Sequence, residues 1–396
     1  MKKKLLALAM TFVFLLTFVT PIQAAGQPLH ARDDGSFRVL IVADTQDTDK
    51  PRKVMLDLLD AELDAADADL VVLLGDNIYG PHIGDDENRV RTAIDAVMDP
   101  IVERNLPFVV TFGNHDDEDC LSKEEQLEIY KNYPGCLNDN PDISGVGNTC
   151  LPLCEANEDE AKALLWFVDS GTYAQEAVGG YDYVKEDQLN WFREGVADYS
   201  TSAMPVSYVF QHIPVPQVFE LLSPAKPFEK GAISGIYNPF SDWYKQHDDE
   251  ISAGSFGETP CPPKIDGGEF SAWKECGVKA AFFGHDHTND YVGTVEGIDF
   301  IATSGIGFYA YGNGDEHGAR ILVLHTDRPE EYETKMVYYK DLFDEPLSPF
   351  TLSKLGIETF RLIAGGIAAI IVFLAILVLI IRKIIISIKN RKNRDH

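Results

Sequence analysis

Short, continuous apolar runs alternate along this chain with longer segments whose apolar residues recur every three or four positions. Residues 37–43 (Phe-Arg-Val-Leu-Ile-Val-Ala), 70–74 (Leu-Val-Val-Leu-Leu) and 107–112 (Pro-Phe-Val-Val-Thr-Phe) are apolar or β-branched almost throughout. Runs of that length and composition predict strands buried on both faces. Between them, residues 51–66 place Val54, Leu58 and Leu63 near one face, and residues 87–104 place Val90, Ile94, Val97 and Ile101 on one stripe. That spacing predicts helices, with a kink at Pro100. The order strand, helix, strand, helix, strand predicts a parallel α/β core. From Asp117 to about Trp166 the pattern breaks, although Ser122 and Glu125 have the spacing of a capping box for a short helix. It resumes with a strand at 164–168, a helix around Leu189 to Val196 and a strand at 206–210. After a second Pro- and Gly-rich stretch, strands are predicted at 278–283, 300–303 and 320–324. The two breaks, about 117–165 and 214–276, are read as insertions that wall a site.

Five of the predicted strands end in polar residues: Asp44-Thr-Gln46, Asp76-Asn77, Asn114-His115-Asp116 after Gly113, His212, and His285-Asp-His287 after Gly284. Each alone is an ordinary turn, because Asp, Asn and Gly are common turn residues. All at strand ends, in one order, they fit a two-metal site, with Asp76 bridging because a carboxylate has two oxygens. Histidine, Asp and Asn suit Zn, Mn or Fe.

With these blocks the chain resembles the calcineurin-like metallophosphoesterases, in a branch related to the purple acid phosphatases. Gly75-Asp76, Gly113-Asn114-His115-Asp116, Val209-Phe-Gln-His212 and Gly284-His285-Asp-His287 carry the resemblance, supported by Phe167-Val-Asp-Ser-Gly-Thr-Tyr173 and the stretch from Gly284 to Tyr291. It covers residues 37–325 and implies an α/β fold, a four-layer α/β/β/α sandwich with metals at one edge. It implies one metal on Asp44, Asp76 and His287, and a second on Asp76, Asn114, His212 and His285. The cofactors would be two divalent or mixed-valence ions of Mn, Zn or Fe. Two such cations activate water and clamp a phosphoryl group; His115 would then be the general acid, with Asp116 steadying its ring and Asn77 touching the substrate phosphate. One departure stands out. Where the family usually has His two residues after the first Asp, this chain has Gln46. Either the Gln46 amide oxygen fills that place, or Tyr79 does, since Gly75-Asp76-Asn-Ile-Tyr79 has the spacing at which purple phosphatases bind ferric iron through Tyr; Asp47 is a remote third.

The two ends add a location. Lys2-Lys3-Lys4, an apolar run from Leu5 to Val19 and small residues near Ala24 make residues 1–24 a secretory signal. Residues 362–381 are 20 uncharged residues, long enough to span a bilayer, followed by a basic tail at 382–396. Residues 341–360, with Pro346 and Pro349, would tether the domain to that span. The expectation is a cell-membrane protein anchored by its C-terminal helix, with the catalytic domain outside. Outside the cell, six cysteines favour disulfides, with Cys261 and Cys276 the preferred pair. The formal net charge of −29 repels nucleic acid and anionic lipid surfaces. A small phosphorylated substrate drawn by bound cations is therefore expected, and nucleic acid is not. The alternative is a surface protein that keeps the fold, has lost turnover through Gln46, and acts by binding a ligand or partner.

Overall fold

The computed structural model describes residues 27–200, 203–235, 241–347, 366–367 and 370–383. The predicted signal at 1–24, most of the tether, part of the 362–381 span and nearly all of the basic tail lie outside the described residues. Among the described residues no helix is long and apolar enough to cross a membrane. Residues 370–383, which include the second half of the predicted span, are helical and exposed on every side.

In chain order the first elements are β1 (Leu29–His30), β2 (Ser36–Val42), α1 (Lys53–Ala66), β3 (Leu70–Leu74), α2 (Gly80–Ile83), α3 (Glu87–Glu103), β4 (Phe108–Thr111) and α4 (Lys123–Lys131). Next come β5 (Thr149–Cys154), β6 (Ala161–Phe167), α5 (Glu186–Tyr199), β7 (Val206–Phe210), β8 (Leu222–Pro224), β9 (Ile233–Ser234), β10 (Trp243–Gln246) and β11 (Ile251–Ala253). The last are α6 (Glu269–Glu275), β12 (Val278–Phe283), β13 (Val292–Val295), β14 (Ile298–Ala302), β15 (Gly318–His325), β16 (Tyr332–Tyr338) and α7 (Tyr339–Leu342). They form a five-stranded sheet, β16-β15-β2-β3-β4, and an eight-stranded sheet, β1-β5-β6-β7-β12-β14-β13-β11. A small sheet, β8-β10-β9, stands in the second insertion.

The apolar runs read as they do because both faces of each central strand are covered. In β3, Leu70, Val72 and Leu74 pack between the sheets, while Val71 and Leu73 face α1 and α3; all five are fully buried. In β12, Ala280 and Phe282 face the other sheet, while Ala281 and Phe283 face the α5 and α6 side. The layers are thus helix, sheet, sheet, helix, and each fully buried Leu, Ile or Val contributes about 1.5–3 kcal/mol. The central strands β2, β3 and β4 run parallel, as do β6, β7, β12 and β14. Their carboxyl ends therefore emerge on one side of each sheet, where open α/β sheets carry their chemistry.

Three expectations need correcting. The sheets extend past 37–325, with β1 before and β16 after; β16 is an edge strand with alternating exposure. The predicted first insertion contains β5, which pairs with both β1 and β6 despite Pro152; Cys and Pro made that segment read as a loop. All six cysteines are unpaired. Cys276 ends α6 inside the apolar layer there, while the Cys261 thiol turns to the Thr259 carbonyl.

Candidate metal centre

The two sheets bring different chemistry to the same edge. The five-stranded sheet supplies oxygen: Asp44 after β2, Asp76 after β3 and Asn114 after β4. The eight-stranded sheet supplies imidazoles: His212 after β7, then His285 and His287 after β12. Asp44, Asp76, Asn114 and the three histidines are all buried. One ligand atom each from Asp76, His212 and His285 lie within 4.8 Å of one another, and so do those from Asp44, Asp76 and His287. The two groups share Asp76.

The backbone is bent to achieve this. Eight non-glycine residues among those described have positive φ, and four of them are Asp44 (53°), Gln46 (38°), Asp76 (49°) and His285 (71°). Such conformations cost on the order of 1–3 kcal/mol each and collect at functional sites. Two glycines make room for the sheets to meet. A Cβ on Gly75 would stand 2.5 Å from the His212 ring, and one on Gly113 would stand 2.1 Å from Asp76 Oδ1.

Several of the donor atoms are aimed into the site and left without hydrogen-bond partners. His212 Nδ1 bonds the Leu74 carbonyl (2.9 Å) and His287 Nδ1 bonds the Tyr311 carbonyl (2.9 Å), so each ring turns its Nε2 toward the carboxylates. Such bonds fix the tautomer of metal-binding histidines. The Asn114 amide nitrogen donates to the Tyr173 hydroxyl (3.0 Å), which leaves its oxygen for the site. Asp44 Oδ2, Asn114 Oδ1, Gln46 Oε1, His212 Nε2 and His285 Nε2 are buried with no hydrogen-bond partner. Orphaned polar atoms cost about 1–3 kcal/mol each when buried, and so many in one hole fit cations better than they fit a packed core.

Charge gives the same answer. Burial and then the neighbouring Asp76 charge push the Asp44 carboxyl well up, against the pull of His212. Burial also opposes ionisation of Asp76, but His212 holds it below the usual carboxylate range. Burial would lower His212, yet Asp76 and Asp44 carry it up to about 9. A proton therefore holds a place that a cation would fill. Burial lowers His285 well below the usual range and His287 to about 4, so both stay neutral, as ligation requires. The residues present fit a pair of metal ions.

The remaining expected residues separate. Gln46 lies in the site, its amide nitrogen donating to Asp76 Oδ2 (3.1 Å). The Tyr79 ring packs among His82, His115 and Tyr309. Asp47 accepts from the backbone N–H groups of Thr48 and Arg52 and so fixes the entry to α1. His115 stands at the rim, its backbone N–H on Asp76 Oδ1 (2.8 Å).

Asp116 does not steady the His115 ring. It is fully buried and accepts from the backbone N–H groups of Asn77 (2.7 Å), Ile78 (3.2 Å) and Gly113 (2.7 Å), so it ties the loops after β3 and β4 together. Burial, then the Asp76 charge, raises it to about 6. The Asn77 side chain also turns inward, donating to the Thr111 carbonyl (2.9 Å) and to Asp116 (3.3 Å). The partner of His115 Nδ1 is Glu118. Sequence reasoning also passed over Glu258, which accepts from the Tyr311 hydroxyl (2.8 Å) while the Tyr311 ring stacks on His287 at 4.3 Å. Both Glu118 and Glu258 lie in the predicted insertions, where no periodic pattern marks them.

Comparison with known proteins bears on this geometry. The calcineurin-like phosphoesterase family matches residues 37–289. The chain is 26% identical over 349 residues to "Probable inactive purple acid phosphatase 29" of Arabidopsis thaliana, covering 78% of this chain and 82% of that protein. It is 26% identical over 312 residues to "Phosphatase DCR2" of Saccharomyces cerevisiae, covering 71% of this chain and 49% of that protein. Among solved structures, a dimetal phosphatase from Danio rerio covers 76% of this chain and 99% of its own, at 15% identity and a TM-score of 0.47.

Proposed function

The chain belongs to the calcineurin-like phosphoesterase family, and on that premise we propose that it hydrolyses phosphate mono- or diesters of small molecules. The observation that carries this reading is the pair of ligand groups sharing Asp76, lined with buried donor atoms that no protein group satisfies. Asp44, Asp76 and His287 would hold one cation; Asp76, Asn114, His212 and His285 would hold the other; Gln46 or Tyr79 would complete the set. The chemistry such a pair supplies is water activation and neutralisation of charge on the phosphoryl oxygens. His115, at the rim beside Asp76, gives a proton to the leaving oxygen, so that ester and water become alcohol and phosphate. Asp116 keeps the two ligand-bearing loops in register. The acidic chain leaves the cations as the attraction for a phosphorylated substrate.

The location is part of the proposal. Residues 1–24 direct export, residues 362–381 cross the membrane, and the basic residues after them stay inside. Support comes from the uncharged run itself and from the exposed apolar helix at 370–383.

A second reading, binding without turnover, is favoured by one observation: Gln46 stands where the family usually has His, in a chain whose relatives include a protein named as probably inactive. The full chain in detergent, loaded with Mn²⁺ and analysed for metal, distinguishes the two. Hydrolysis of an aryl phosphate or a bis-aryl phosphate supports the enzyme. Bound metal with no hydrolysis of either supports the binder, and absence of bound metal removes both.

A further inference from the structure

We propose that Glu118 is the positioning residue for the His115 proton donor, and that the pair suits the site to esters whose leaving group is an alkoxide rather than an activated aryl oxide. The inference rests on the reading of His115 as proton donor. His115 follows β4 in a loop, and its ring lies a quarter exposed at the rim. Its backbone is pinned by Asp76, but that leaves the ring free to rotate. Glu118, three residues on, pairs its Oε2 with His115 Nδ1. Asp116, adjacent in sequence, is fully occupied with backbone N–H groups below.

The His115 ring also stands beside Tyr173. The Tyr173 ring stands edge-on to the His115 ring at 6.4 Å, and the Tyr173 hydroxyl accepts from Asn114 (3.0 Å). Asn114, Tyr173, His115 and Glu118 thus stand in one run of neighbours from the floor of the site to the rim.

The chemistry follows from which ring nitrogen is held, because the bond at one nitrogen sets the role of the other. With Nδ1–H kept by the Glu118 carboxylate, the imidazolium offers Nε2–H. As the P–O bond breaks and its electron pair stays on the leaving oxygen, the Nε2–H bond breaks and an O–H bond forms. His115 ends as neutral imidazole; Glu118 stays ionised and keeps Nδ1–H. The oxygen gained by phosphorus comes from water, whose proton passes to solvent. An alkoxide is too basic to leave without that proton, whereas a dinitrophenolate leaves unaided.

The test uses the full, metal-loaded chain in detergent with two probes, glycerol phosphate and 2,4-dinitrophenyl phosphate. Glu118→Ala should lower kcat on glycerol phosphate by about 10- to 100-fold, a part of what a general acid supplies, and change the dinitrophenyl ester less than about threefold, with metal content unchanged. Equal losses on both esters, or no loss on either, overturn the proposal. A second readout needs no turnover. In metal-free, ¹⁵N-histidine-labelled protein, with His115 assigned through His115→Gln, Nδ1 should be protonated in the wild type. That preference should be lost in Glu118→Ala and kept in Glu118→Gln, whose amide oxygen still accepts. A wild-type ring unprotonated at Nδ1 overturns the pairing. If the wild type hydrolyses neither ester, the phosphoesterase reading and the leaving-group claim fall together, while the nitrogen spectrum still decides whether Glu118 sets the ring.

Discussion

Asp44, Asp76, His212, His285 and His287 hang from strand ends and are 7% exposed or less, whereas His115 and Glu118 are about a quarter exposed and Tyr173 and Tyr311 are nearly half exposed. The first group is the floor of the site and the second its rim. The floor is positioned by two packed sheets, and two of its imidazoles, His212 and His287, are fixed by bonds to main-chain carbonyls. The rim is positioned by side chains from loops that hold one another. On the proposed reading, the floor determines whether cations bind and the rim determines which ester is turned over once they do.

Exchanging one residue from each region breaks that division if it is wrong. Asp76→Ala removes the ligand common to both groups, so bound metal should fall from about two ions per chain to less than one, and hydrolysis to background. Metal analysis of the dialysed protein, run beside the assay, checks both; a variant that keeps two ions would place the bridging ligand elsewhere. His115→Ala should do the reverse. Its metal content should match wild type while the rate falls about 10²- to 10⁴-fold. Loss of metal in this variant would move His115 from rim to floor.

Gln46 is the one floor residue whose type departs from the family pattern, and its effect should be smaller. Its amide nitrogen already bonds Asp76 (3.1 Å) while its oxygen has no partner. A neutral amide oxygen is a weaker donor than imidazole. Gln46→His should therefore tighten the weaker-bound cation by about tenfold, in line with the 10- to 100-fold effects seen around metal sites. Competition with a chelator of known affinity measures this. Unchanged affinity would remove residue 46 from the ligand set and leave Tyr79 as the candidate.

The same division explains what could be read in the sequence. β3, β7 and β12 have the predicted bounds residue for residue, because strands buried on both faces are written as nearly continuous apolar runs. Once those strands are placed, their terminal residues follow. The directions of side chains beyond a strand end do not. Asn77 and Asp116 neighbour candidate ligands in sequence yet turn into the protein, because the chain leaves β3 and β4 in tight turns that reverse successive side chains. Glu118, Tyr173, Glu258 and Tyr311 meet only through long-range contacts between loops, and no local period records such contacts. β5 was hidden by its own composition: its Pro and two Cys outweighed Thr149, Leu151 and Leu153, which pair with β6 as any strand would.

Glu62 offers the smallest effect and a control for the whole comparison. It is a buried acid far from the site, on α1, with Oε1 accepting from the Ala319 backbone N–H (3.1 Å) and Oε2 without a partner. If burial alone produced the orphaned atoms of the floor, Glu62 would belong with them. It differs in standing without histidines, and burial raises its carboxyl to about 9, so it stays protonated at neutral pH instead of needing a cation. The folded-state pKa lies above the ordinary value of 4.5. Its contribution to stability is then complete below about pH 4.5 and is lost as pH rises through about 9, since the unfolded chain ionises first. Glu62→Gln keeps the acceptor for Ala319 and cannot ionise. The variant should match wild type near pH 5 and exceed it at pH 8 by on the order of 2 kcal/mol, with metal content unaltered at both. Urea denaturation at the two pH values measures the difference. A gap that is the same at pH 5 and pH 8 would mean that Glu62 is ionised in the folded protein. Isolated burial would then no longer separate a protonated acid from a metal-binding one, and the orphaned donors of the floor would lose their value as a sign of bound cations.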